Sequence, residues 1–204
     1  MIAVLDYGIG NLRSAQKGLE QVGADAVLTD DPALAGAASG VVLPGVGAFG
    51  RCMEALRASG LDEVALGAVA SGRPFLGVCV GMQMLYAGSE ENPGVEGLGV
   101  LEGSVRLLPR TVKRPQMQWN VLRRNGKARM LAGLDDPVWM YFVHSYAPDL
   151  TADVVATCEY GGPVVAAVER ENVWATQFHP EKSGAAGLRL LRNFVDVCDG
   201  SIRS

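Results

Sequence analysis

The first half of the chain alternates continuous apolar runs with stretches of helical spacing. Residues 1–6 are an apolar run that stops at Asp6-Tyr7-Gly8, the pattern of a buried strand. Residues 11–22 place Leu12, Ala15, Leu19 and Val22 on one helical face, and Gly23 supplies a C-terminal stop. The same reasoning predicts strands over 24–29, 40–43 and 74–78, and helices near 49–58, 61–71 and 80–86. The stretch from Ala33 to Gly40 is Ala/Gly-biased and yields no element. Strands separated by helices imply parallel pairing through right-handed crossovers.

The pattern changes after residue 98. Short strands are predicted over 98–108, 117–124, 138–144, 153–159, 163–169 and 172–178. Glu159-Tyr160-Gly161-Gly162 and Glu171-Asn172 mark turns between them. A closing helix over 184–198 carries Leu188, Leu191, Val195 and Cys198 along one face. No Pro- or Ser-rich linker interrupts the chain. The expectation is one α/β domain over residues 1–204, with a mostly parallel central sheet flanked by helices and an antiparallel β extension in the second half.

Composition narrows the class. With 204 residues, 49% of them hydrophobic and 20% charged, the chain can bury a sizeable core. A net charge of −4 argues against non-specific nucleic-acid binding, which needs a basic face. No apolar run is long enough to span a bilayer. The opening MIAVLDYGIG lacks the cationic start of a secretory signal, so the expected location is cytoplasmic. Arg106, Arg110, Lys113, Arg114, Arg123 and Arg124 make the middle locally basic. That is either a solvated face or a docking surface for an acidic partner rim.

Three segments could carry chemistry. In Gly77-Val78-Cys79-Val80-Gly81-Met82-Gln83 a strand ends, one residue follows and a helix begins, with glycines two positions either side of Cys79. That spacing suits a nucleophile elbow, whose central side chain stands above the carboxyl end of the sheet at a helix N-terminus that favours thiolate. It equally suits a packing turn around a small buried residue. In Gln177-Phe178-His179-Pro180-Glu181, His179 follows an apolar strand, Pro180 keeps it extended, and Glu181 can reach the back of its imidazole. Taken alone this is a surface loop with a capping Glu; with a Cys elbow upstream, a Cys–His–Glu triad is the better reading. In Leu43-Pro44-Gly45-Val46-Gly47-Ala48-Phe49, Gly45 and Gly47 let the backbone present N–H groups to a developing oxyanion. The segment lacks the Lys and spacing of a phosphate loop. Cys52, Cys158 and Cys198 lie within apolar patterns and read as structural. The other histidine, His144, ends an apolar strand and has no carboxylate at close sequence range.

PGVGAFG, GVCVGMQ and QFHPEKS, in this order and at these separations, resemble the class I glutamine amidotransferases over nearly the whole chain. LDYGIGN, Met82 in place of the His usual in anthranilate-synthase-type relatives, and Tyr141-Phe142-Val143-His144-Ser145-Tyr146 make it most similar to the glutaminase subunits of imidazole glycerol phosphate synthases. The resemblance implies that Cys79 is the nucleophile, His179 the base and acid, and Glu181 its orienter. Backbone N–H groups of Val46 and Val80 would hold the oxyanion, the first after a peptide flip between Gly45 and Gly47. Gln83, Glu91, Ser145 and Tyr146 would contact L-glutamine. Asn11, Trp119, Asn120, Tyr141, His144 and Lys182 would face a (βα)8-barrel cyclase subunit in a heterodimer. No cofactor and no metal are implied, nor any nucleic acid or membrane. Two positions depart from the pattern: Val80 stands where Leu is usual, and Gln118 where the subfamily has glycine, which would be strained if that glycine has a positive φ. The rival readings are a glutaminase for an anthranilate or aminodeoxychorismate synthase, a Cys-dependent peptidase or chaperone on a similar fold, and a silent regulatory subunit.

Overall fold

The computed structural model describes residues 1–201. Its core is an eight-stranded sheet in the order β2-β1-β3-β4-β12-β11-β10-β7. Strands β1 (Ile2–Leu5), β2 (Ala26–Thr29), β3 (Gly40–Gly45), β4 (Phe75–Cys79) and β12 (Val173–Thr176) pair in parallel. Strands β11 (Pro163–Arg170), β10 (Val154–Glu159) and β7 (Arg123–Arg124) extend the sheet antiparallel. This is the mostly parallel sheet with an antiparallel extension that the sequence pattern predicts. Every residue of β1, β3 and β4 is buried, because helices cover both faces of a parallel sheet.

The helices are α1 (Leu12–Gln21), α2 (Pro32–Gly36), α3 (Phe49–Ala58), α4 (Leu61–Ala70), α5 (Val80–Gln83) and α6 (Gly184–Cys198). The short α2 went unpredicted, yet its signal is local: Asp31 accepts the Ala33 N–H at 2.8 Å, with Pro32 in the first turn. Helix α5 stops at Gln83, short of the 80–86 expected. The buried face of α6 is formed by Leu190, Leu191, Phe194 and Val195, with Leu188 and Cys198 at its half-buried edges rather than on its centre line. Among the described residues no helix is long and apolar enough to cross a membrane.

The predicted strand over 98–108 shrinks to β5 (Val105–Leu107). Gly99 and Gly103 take φ of +65° and +95°, which extended backbone does not allow. β5 instead pairs with β9 (Tyr146–Pro148), which ends in proline and carries no alternation long enough to register. The expected strand over 117–124 divides, because β6 (Gln116–Val121) pairs with β8 (Trp139–His144) while β7 joins the large sheet. Gln118 sits in regular β6. The non-glycine residues with positive φ are Cys79 and Glu171 among the described residues, so Gln118 imposes no such strain. The basic stretch is largely engaged locally: Arg106 pairs with Glu90 and Asp149, and Arg123 with Glu159.

β3, β4 and α5 approach so closely that their contacts admit no side chain. A Cβ on Gly81 would run into the Leu43 carbonyl oxygen, and one on Gly45 would lie 2.6 Å from the Gly81 nitrogen. Gly81→Ala is therefore expected to destabilise the protein by about 1–3 kcal/mol or more, as overpacking does. Gly67→Ala, in open space on α4, should be neutral or stabilising by about 0.5–1 kcal/mol. Urea unfolding midpoints of the two variants check the contrast.

Candidate active site

Cys79 ends β4 and caps α5 with φ 57° and ψ −111°, a conformation L-residues avoid. The strained turn lifts the thiol above the carboxyl ends of the parallel strands. His179 follows β12, the next strand in the sheet, and Val46 follows β3 on the other side. Three adjacent strands thus deliver the nucleophile, the imidazole and the glycine-rich segment to one edge, where such sheets bind ligands.

These residues line a cavity of about 290 Å³ with Gly47, Val80, Gln83, Glu91, Pro115, Val143, His144, Ser145 and Tyr146. That is near the lower limit of ordinary small-molecule pockets, about 300–1,000 Å³, and suits a small metabolite. The Cys79 sulfur lies 3.7 Å from the Gln177 amide nitrogen and 4.0 Å from the Val143 carbonyl. Nδ1 of His179 meets Oε1 of Glu181 at 2.9 Å, and both side chains are sealed from solvent. Burial opposes charge on His179, but attraction from Cys79 and Glu181 outweighs it and raises the imidazole from 6.5 to about 9. Nε2 of His179 is buried and has no hydrogen-bond partner. At neutral pH the imidazole is charged, which keeps a proton ready for a leaving group.

The backbone of His179 is fixed on two sides. Its N–H donates to the Tyr141 carbonyl at 3.0 Å. The buried Ser183 hydroxyl donates to the His179 carbonyl at 2.6 Å and accepts the Tyr141 N–H at 3.0 Å. Ser183, Gln177 and Asn92 were not singled out as site residues from the sequence. Gln177 and Gln83 join amides at 3.0 Å, and Gln83 also donates to the Tyr146 carbonyl at 3.0 Å. Glu91 and Asn92 accept the N–H groups of Phe49 and Gly50, each at 2.8 Å, and so anchor the segment that leaves the PGVG turn. The buried Gln177 was legible as part of the motif around His179, but its partners are set by the fold.

The residues expected on a partner face divide in two. On β6 and β8 the pairs Met117–Val143, Trp119–Tyr141 and Val121–Trp139 share one side of the ribbon. Met117, Trp119 and Trp139 are exposed by 63%, 47% and 51%, and the Trp119 and Tyr141 rings meet edge to face. His144 lies on the opposite side with Met140 and Phe142, buried in the cavity wall. It cannot share Tyr141's outward face, because strand side chains alternate and three positions separate the two. Nδ1 of His144 lies 2.8 Å from the Tyr146 carbonyl and therefore carries the proton, while Nε2 is buried without a partner. Burial and the charge of His179 push it down to about 4. Asn11 lies behind the triad, its amide 3.5 Å from Glu181 Oε1. The Asn120 amide is bonded to the Glu159 carbonyl, and the Lys182 side chain is exposed.

Residues 3–198 match the glutamine amidotransferase class-I family. The chain is 50% identical over 198 residues to the imidazole glycerol phosphate synthase subunit HisH of Methanothermobacter thermautotrophicus, covering 97% of this chain and 98% of that one. It is 49% identical to the HisH subunit of Syntrophotalea carbinolica, over 97% of this chain and all of that one. A solved glutamine amidotransferase superposes with a TM-score of 0.77 at 22% identity, covering 97% and 98% of the two chains. The PurLQS structure from Thermotoga maritima superposes at 0.72 with 19% identity, covering 96% and 97%.

The two histidines should titrate far apart in ring-resolved NMR, His179 near pH 9 and His144 near pH 4. Because His179 is raised above its unfolded value near 6.5, its stabilising contribution is complete below that pH and fades as pH rises through about 9. In Cys79→Ala the His179 midpoint should fall, since the attraction of the sulfur is gone; an unmoved midpoint would show that Cys79 does not act on the imidazole.

Proposed function

The chain belongs to the class I glutamine amidotransferases, and on that premise we propose that Cys79, His179 and Glu181 carry its glutaminase reaction, in one domain over residues 1–204. It is the glutaminase subunit of an imidazole glycerol phosphate synthase: it hydrolyses L-glutamine to glutamate and ammonia and passes the ammonia to the cyclase subunit in histidine biosynthesis. The observation that supports the triad most directly is that His179 and a Cys79 of positive φ line one cavity while Glu181 holds the back of the imidazole at 2.9 Å.

The thiolate of Cys79 attacks the side-chain carboxamide carbon. The oxyanion is received by the N–H of Val80, at the start of α5 where helix donors lack intrahelical partners, and by the N–H of Val46 once the Gly45–Val46 peptide has turned. His179 gives its proton to the departing nitrogen, and ammonia leaves. A water, deprotonated by the same imidazole, then hydrolyses the glutamyl thioester and releases glutamate. Gln83, Glu91, Ser145 and Tyr146 surround the amino-acid end of the substrate. Free ammonia protonates in water and diffuses away, so the product must cross a sealed interface. The apolar face of β6 and β8 supports the heterodimer: exposed Met117, Trp119 and Trp139 form the aromatic-rich patch that interface centres favour. There the cyclase uses the ammonia on a phosphoribulosyl nucleotide, yielding imidazole glycerol phosphate and aminoimidazole carboxamide ribotide. The reaction takes place in the cytoplasm.

Glutamate release should vanish in Cys79→Ala and rise in the wild type when the cyclase and its nucleotide ligand are added. Equal turnover with and without the partner would show that the cyclase does not control the glutaminase reaction. Trp119→Ala and Trp139→Ala should each weaken the heterodimer by about 30-fold or more, as truncation of an interface hot spot does, in a calorimetric titration against the cyclase.

A further inference from the structure

Two buried side chains outside the cavity hold the glycine-rich segment from beneath. Tyr7, just beyond the end of β1, donates its hydroxyl to the Pro44 carbonyl at 2.6 Å across 37 residues of sequence. The Cys52 thiol, on α3, donates to the Val46 carbonyl at 3.3 Å. Both residues are closed to water. The two carbonyls flank the Gly45–Val46 peptide, whose N–H is the proposed oxyanion donor. From Phe49 onward the chain is held again by Glu91 and Asn92. Gly45 is pressed against the backbone of Val80 and Gly81, whereas Gly47, with φ +86°, has open space around it.

We propose that Tyr7 and Cys52 are positioning residues for the oxyanion site, fixing the carbonyls on either side of the Gly45–Val46 peptide so that this peptide alone can turn toward Cys79. The inference rests on the assignment of Val46 as an oxyanion donor. Burial raises both groups above their usual values, so each keeps its proton and remains a donor at neutral pH. Removing either donor leaves a buried carbonyl unpaired and lets the segment wander, which harms the transition state more than the bound substrate.

The test uses the full chain with its cyclase partner. Tyr7→Phe and Cys52→Ala should each lower kcat for glutamate release by about 10-fold, less than the ~10²–10³ that follows loss of an oxyanion donor itself, with KM for glutamine within about twofold. Cys52→Ser, which keeps a donor in a smaller side chain, should stay within about threefold of wild type; a packing role alone would make Ser no better than Ala. Amide exchange at residues 45–47, followed by NMR, should quicken in Tyr7→Phe and Cys52→Ala and not in Cys52→Ser. Unchanged kcat, a KM effect alone, Ser behaving as Ala, or higher partner-free activity in Tyr7→Phe would overturn the proposal. Cys79→Ala runs alongside: if wild-type release proves independent of Cys79, the glutaminase assignment fails, and the exchange measurement still decides whether Tyr7 and Cys52 hold the segment.

Discussion

The close packing of β3, β4 and α5 is the constraint on which the site depends. Cys79 occupies a backbone conformation that costs of order 1–3 kcal/mol and persists only where its surroundings over-determine it. Here the surroundings are backbone against backbone. Gly77, Gly81 and Gly45 let the three elements meet with no side chain between them, and any Cβ at Gly81 would strike the Leu43 carbonyl. That contact aims the thiol at the sheet edge. It also places the segment holding Val46 beside the nucleophile, so the same glycines serve geometry and chemistry.

Electrostatics divides the two histidines. His179 gains more from Glu181 and Cys79 than burial takes away, and it stays charged at neutral pH. His144 has only a carbonyl for a partner, so burial wins and it stays neutral. One cavity therefore holds a proton donor and a neutral acceptor, their states set by the groups facing each ring.

The β6–β8 ribbon gives each of its sides a different role. Its outward side presents Met117, Trp119, Trp139 and Tyr141, and its inward side places Met140 and Phe142 in the core and His144 in the cavity wall. The link between the sides is short. Tyr141 shares two backbone hydrogen-bonding groups with the His179 loop, one directly and one through Ser183. A residue of the exposed aromatic side is thus a backbone neighbour of the imidazole proposed as acid and base.

By itself the sequence determined the alternating α/β half, the glycine-framed Cys79 turn, and the neighbouring His179 and Glu181. Those features are local: apolar runs, helical spacing, and glycines within two residues of the group they free. The sequence reading put Tyr141 and His144 on one partner face, and the observed strand β8 places them on opposite sides, because side chains alternate along it. Only the tertiary structure decided the pairing of β5 with β9, the division of the 117–124 stretch between two sheets, and the Gln177–Gln83 contact. It alone joined Tyr7 to Pro44 and Ser183 to Tyr141. Each of these joins groups far apart in sequence whose patterns carry no mark of one another, and a hydrogen bond across 37 residues exists only once β1 and β3 lie side by side.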